Sequence, residues 1–151
     1  LGMFQKPLRL DRQQMAARSF GAAESAFDMT LQHCRDRRLF GQRLIDMQNT
    51  QFVLADLETQ LSVGRAFLEG LIRQHLSGTF SDEDGMRAKI WLPELEGRVL
   101  DACVQFWGHR GWMDDNPISR MYTAARAQRI QAGATELMKV LLARRYLSQQ
   151  A

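Results

Sequence analysis

Arg37-Arg38-Leu39-Phe40-Gly41-Gln42-Arg43-Leu44-Ile45-Asp46-Met47-Gln48 stands between two long stretches in which apolar residues recur every three or four positions. Before it, Met15, Ala16, Phe20, Ala23, Phe27 and Leu31 fall on one side of a helix predicted from Asp11 to about Arg35. After it, Leu44, Met47, Leu54, Leu61, Leu68 and Ile72 mark a second, from about Gln42 to Leu76, interrupted by Gln51, Glu58 and Arg65. Gly41 suits the sharply turned or left-handed backbone that must join the two. On its own chemistry the joint has two readings. It is a helix–helix turn with solvated charges, or its guanidinium groups and the adjoining helix start favour a phosphate or another anion.

Outward from this joint the pattern stays helical. Residues 1–10 carry Pro7 and no clear period, and read as a lead-in loop, with Asp11 placed as an N-cap or first-turn acid. Ser77-Gly78-Thr79 and Ser81-Asp82-Glu83-Asp84-Gly85 form a polar turn with capping residues. A third helix is predicted from about Asp84 to Trp107, with Ala88, Leu92, Leu95, Val99, Ala102 and Phe106 as an apolar stripe and Pro93 inside it. Gly108-His109-Arg110-Gly111-Trp112 breaks that helix. A shorter one follows from Pro117 to about Ile130, and a last one from Thr135 to about Leu147. No segment alternates with period 2. The expected fold is all-α: an antiparallel four-helix bundle with an extra short helix, residues 11–151 forming one domain.

Composition narrows the function classes. With 151 residues, the chain has the size of one domain and enough length to bury a core. A net charge of +3, spread among acidic residues, does not describe a nucleic-acid surface. No apolar run approaches a membrane span, and Cys34 and Cys103 read as buried thiols of a reduced, intracellular (cytoplasmic) protein. The abrupt opening Leu1-Gly2-Met3 leads us to expect a piece of a longer chain. None of His33, His75 and His109 follows a Glu by three positions, which removes the dinuclear-metal bundle, and no metal site is expected. Chemistry here would rest on carboxylates and a cofactor.

Several segments, in order, resemble the C-terminal domain of the flavin-dependent acyl-CoA dehydrogenases. Arg37-x-x-Phe40-Gly41 with Gln48 downstream is similar to that family's R-x-x-F-G…Q. Gln105-Phe106-Trp107-Gly108-His109-Arg110-Gly111-Trp112 resembles its Q-x-x-G-G-x-G-[YF], and Pro117-Ile118-Ser119-Arg120 its P-x-x-R/K. Ala125-Arg126, Gly133-Ala134-Thr135-Glu136 and Ala143-Arg144 resemble the closing elements. The resemblance implies FAD as cofactor and an acyl-CoA thioester as substrate. It also implies homodimers or homotetramers in which each bundle serves its neighbour's FAD, and an electron-accepting flavoprotein partner. By the same resemblance, Arg37 meets the FAD pyrophosphate, Phe40 the adenine side and Gln48 the adenosine portion. Gln105, Gly108 and Gly111 present a side chain and close-approaching backbone to the phosphates of the partner's cofactor; read locally, Gln105 is a helix-end cap.

Proton abstraction in the family needs a carboxylate. Its commoner position, before the Gly of x-G-T, is Ala132 here and cannot act. The isovaleryl- and long-chain-type members instead place a Glu before an Arg that stands 25 positions ahead of the first motif arginine; counted from Arg37, that Arg is Arg12, preceded by Asp11. The resemblance therefore makes Asp11 the base and Arg12 a substrate-side residue, against the local reading of Asp11 as a helix cap. His109, Thr123-Ala124 and Ala134 depart from the family pattern. Those departures keep a second expectation open, a non-catalytic oligomerisation or cofactor-supporting module, or a degenerate partner subunit.

Overall fold

The computed structural model describes residues 2–148, with side chains from Leu10 onward. Five helices account for nearly all of it: α1 (Gly2–Asp36), α2 (Gln48–Leu76), α3 (Asp82–Trp107), α4 (Pro117–Gln128) and α5 (Thr135–Ser148). The expected all-α bundle is present. Its first helix starts earlier than the sequence suggested. The lead-in of residues 1–10 is helical from Gly2 on, so Asp11 lies inside α1 and cannot cap it. Pro7 stands in the second turn, past the N–H groups that have no intrahelical partner, so it removes one backbone bond without ending the helix.

The joint between the first two helices is also more structured than a turn. Arg38–Leu39 (β1) pairs antiparallel with Gln42–Arg43 (β2), Leu39 opposite Gln42, and a 3-10 turn at Leu44–Asp46 leads into α2 at Gln48. Phe40 and Gly41 form the two-residue tip, with φ of 52° and 83°, the pair of positive angles a type I′ hairpin requires. Strands of two residues are too short for any alternation to show.

α3 is the central helix. It packs most extensively on α1 and also touches α2, α4 and α5. Leu92, Leu95, Val99, Leu100 and Cys103 from α3 meet Ala16, Phe20, Ala23, Ala26 and Phe27 from α1 and Leu54, Leu57 and Leu61 from α2. Each fully buried Leu contributes about 1.5–3 kcal/mol relative to an exposed one. The small α1 side chains let the two helix backbones approach, while Phe20 and Phe27 fill the spaces between. Ala102 and Phe106, on the predicted stripe, are only partly buried. The buried arc is instead widened by Lys89 and Glu96, polar residues that an apolar pattern passes over.

Local chemistry sets the helix ends. Ser81 and Asp84 form a reciprocal capping box at the start of α3, each side chain bonded to the other's backbone N–H at 3.1 Å. Burial opposes the charge of Asp84, but those Ser81 contacts and Arg87 outweigh it and hold its carboxyl below the usual range. Asn116 Oδ1 accepts from the Ile118 N–H at 2.9 Å, with Pro117 opening α4 as expected. No helix among the described residues is long and apolar enough to cross a membrane.

Candidate functional site

A cleft of about 530 Å³ opens where the end of α1, the start of α2 and the end of α3 meet. Its walls bring together residues distant in sequence: Arg37, Asn49 and Thr50 on one side, and Gln105, Gly108 and Arg110 on the other. Two of the sequence motifs therefore converge on one space, and three of the six residues expected to bind the cofactor, Arg37, Gln105 and Gly108, line it. The other three do not. Phe40, Gln48 and Gly111 lie outside its walls.

The cleft suits an anion on two grounds. Arg37 and Arg110 both line it, and among the described residues neither guanidinium is held in an ion pair. Arg43 is the arginine of the joint that is spent locally, clamping Asp46 with two hydrogen bonds of 2.8 Å. The N-terminus of α2 faces the same space through Asn49 and Thr50, and Met47 offers it no side-chain cap. Those first N–H groups carry the positive end of the helix dipole and remain available to an acceptor. Gly108, on the same wall, ends α3 with φ 58° and ψ −141°, a combination that effectively only glycine adopts. An added Cβ there would meet nothing within 4 Å, so the constraint is conformational; the Gly108 N–H is spent on the Gln105 carbonyl and is not a free donor to the cleft.

Gly111 is a glycine for a different reason. It is buried, and a Cβ would stand 2.8 Å from both the Val104 carbonyl oxygen and Trp107 Cβ. The absent side chain lets the 3-10 turn Gly108–Trp112 pack onto the last turn of α3. Backbone cannot give way as a flexible side chain can, so Gly111→Ala is expected to lower stability by about 1–3 kcal/mol. Thermal unfolding checks this, and an unchanged midpoint would show that the turn is free to move.

Phe40 presents another unsatisfied feature. It is 96% exposed at the hairpin tip, with its backbone in the left-handed region. That conformation disfavours a bulky residue by about 1–2 kcal/mol, and the ring gains nothing from burial within the chain.

Asp11 and Arg12 lie far from the cleft. The 25 residues of helix that separate Asp11 from Asp36 span about 37 Å. Asp11 is exposed on α1, while Arg12 turns inward, its Nε buried without a partner. Lys89 is fully buried nearby and donates to the Gln128 carbonyl. Burial, and then the charge of Arg12, push the Lys89 ammonium below its ordinary range. Through Lys89 and Gln128 this corner joins the turn after α4, where Thr135 N–H bonds to the Arg129 carbonyl at 3.0 Å and Ala132 takes φ 51°. Sequence reasoning missed Lys89, and in the cleft it missed His33, Asn49, Thr50, Trp107 and Arg110.

Comparison with known proteins follows the same lines. Residues 1–147 match the family described as acyl-CoA dehydrogenase, C-terminal domain. The mitochondrial long-chain specific acyl-CoA dehydrogenase of Rattus norvegicus is 35% identical over 138 residues, covering 91% of this chain and 32% of that protein. A 3-sulfinopropanoyl-CoA desulfinase of Variovorax paradoxus is 31% identical, over 85% of this chain and 32% of its own length. Among solved structures, an acyl-CoA dehydrogenase from Geobacillus kaustophilus superimposes with a TM-score of 0.90 at 33% identity, covering 93% of this chain and 37% of that one. The chain spans about a third of the length of such relatives.

Proposed function

The chain belongs to the acyl-CoA dehydrogenase family, as its C-terminal domain, and on that premise we propose that its cleft binds the pyrophosphate side of FAD. The observation that carries this reading is the convergence of Arg37, Arg110, Gln105 and the uncapped α2 N-terminus on one space. A planar guanidinium offers two parallel donors to a phosphate, and the helix end adds fixed N–H dipoles. FAD, when bound, supplies the acceptor for a substrate hydride. This chain's residues hold and orient it.

The geometry also supports sharing of cofactors between copies. Asp11 would remove the α-proton of an acyl-CoA thioester beside a flavin ring, with Arg12 on the substrate side. The cleft, about 37 Å away along α1, would hold phosphates. One FAD cannot serve both places, because a short ribityl chain of carbon–carbon bonds of about 1.5 Å separates its ring from its pyrophosphate. Each chain therefore contributes its Asp11 to one cofactor and its cleft to a neighbour's, in a homodimer or homotetramer. Phe40 and Gln48, exposed on the rim side of the hairpin and α2, then reach the adenosine part of that neighbouring FAD. An electron-accepting flavoprotein would be the partner that reoxidises a bound FAD.

In this reading the complete protein catalyses α,β-dehydrogenation of an acyl-CoA, and these residues alone do not. The buried free thiols Cys34 and Cys103, each pushed up to about 11 by burial, fit a reducing intracellular setting. A non-catalytic cofactor-supporting subunit is the competing reading; both share the FAD contact, which one experiment tests apart from the chemistry. Arg37→Ala in the full-length protein is expected to weaken FAD retention roughly ten- to a hundredfold, the equivalent of losing about 1.5–3 kcal/mol of charged hydrogen bonding. Flavin absorbance after gel filtration reads it. Full retention would remove Arg37 from the cofactor site.

A further inference from the structure

His33 occupies the cleft wall between Arg37 and the Gly108–Trp112 turn. Its ring stacks on Trp107, with centroids 4.1 Å apart and planes 15° from parallel. Trp107 is fixed in turn, its Nε1 donating to Thr30 Oγ1 at 3.1 Å. The Phe106 backbone stands on the other side of the imidazole and favours a proton on it. His33 is thus packed on a tryptophan that is itself anchored, beside a space that two arginines make positive.

The charges around the ring decide when it is protonated. Arg37 and Asp36 face it from the end of α1, and Arg110 and His109 from the turn opposite. Burial disfavours the imidazolium first. The Phe106 backbone works the other way, Arg37 and Arg110 oppose a proton, and Asp36 favours one; the balance leaves proton affinity below that of an ordinary histidine. An anion placed between Arg37 and Arg110 reverses their part in that balance. It neutralises the cations that repel the proton and itself attracts one.

We infer that His33 is a proton-linked ligand of the anion in this cleft, taking up a proton as the cofactor's pyrophosphate enters, so that affinity for FAD rises as pH falls. The inference rests on the proposed placement of FAD pyrophosphate in the cleft. The sign follows from linkage. The protonated ring binds a negative group better than the neutral ring, so binding draws in a proton, and the gain fades once pH exceeds the proton affinity of the ring in the complex. The phosphates of FAD keep a constant charge across the neutral range, so they do not mimic the effect.

The test titrates full-length apoprotein with FAD between about pH 6 and about pH 8, in buffers of different ionisation enthalpy, so that calorimetry counts protons as well as affinity. Net proton uptake is expected, with affinity falling up to about tenfold across the range, the consequence of a one-unit shift on binding. His33→Phe keeps a ring against Trp107 and removes the titrating nitrogen, so it should flatten the profile and abolish the uptake while circular dichroism stays unchanged. Uptake that persists in His33→Phe, or a flat profile in the unmodified protein, overturns the inference. Arg37→Ala separates the two levels. Unchanged affinity at every pH would fail the pyrophosphate reading itself. Weakened affinity alongside an intact pH profile in His33→Phe would fail only the role of His33.

Discussion

An Asp11→Asn variant of the full-length protein is expected to retain its flavin and lose acyl-CoA oxidation by roughly a hundred- to ten-thousandfold, the usual contribution of a positioned general base. The substitution changes charge and basicity but hardly size. Asp11 is exposed within α1 and caps nothing, so the fold has no stake in its carboxylate. Ala132, the other position from which the family supplies a base, carries only a methyl group. Bleaching of the flavin absorbance by an acyl-CoA substrate measures the reaction, and turnover at the unmodified rate would remove Asp11 from the chemistry.

Two further substitutions strengthen that test. Asp11→Glu lengthens the side chain by one methylene and should hold or raise the rate, because proton abstraction depends on reach. Adding Ala132→Glu to Asp11→Asn should restore part of the lost activity. The turn around Ala132 is held by Lys89 on the Gln128 carbonyl and by Thr135 on the Arg129 carbonyl. Its left-handed backbone at Ala132 already carries a Cβ, so a longer side chain introduces no new backbone strain. Failure of the double variant alongside loss in Asp11→Asn would mean that the two positions do not face the same substrate atom.

How legible the molecule is from its residues depends on the kind of signal each part emits. Long helices with small and large apolar residues at regular spacing, such as Ala16, Phe20, Ala23 and Phe27, announce themselves because one face must be buried. The hairpin at Arg38–Arg43 does not, since two residues per strand carry no period; Phe40-Gly41 was visible only as a turn. Arg37, Gln105 and Gly108 could be named because a family pattern marks them, yet nothing in either segment says that they share a cleft. His33 and Trp107 carry no mark of any kind. Their stack is made by the pairing of α1 with α3, a contact between residues far apart in sequence. Lys89 and Glu96 were passed over because a buried charge looks, in a periodicity, like a surface residue. Burial raises the Glu96 carboxyl and lowers the Lys89 ammonium, so both are found only through the packing around them.

The α1–α3 interface that carries Asp11 at one end and Arg37 at the other tightens at Gly64, where α2 meets both. A Cβ at Gly64 would lie 2.8 Å from Leu95 Cδ2 and 2.9 Å from Phe20 Cε2. Gly64→Ala gains about 1 kcal/mol of helix propensity but overpacks this point by about 1–3 kcal/mol, and a net loss is expected. Leu95, fully buried, should lose about 2–5 kcal/mol on truncation to Ala, because its transfer energy disappears and the three helices cannot close the gap. The two losses should not add. Truncating Leu95 vacates the space that the new methyl group invades, so the double variant is expected to be more stable than the sum of the singles by about 0.5–2 kcal/mol. The relief is partial because the Phe20 ring stays in place at 2.9 Å. Denaturant unfolding followed by the helical circular dichroism of all four proteins gives the coupling directly. Additivity within about 0.5 kcal/mol would mean that Gly64 and Leu95 do not touch, and that the small residue in α2 is there for some reason other than close approach to the central helix.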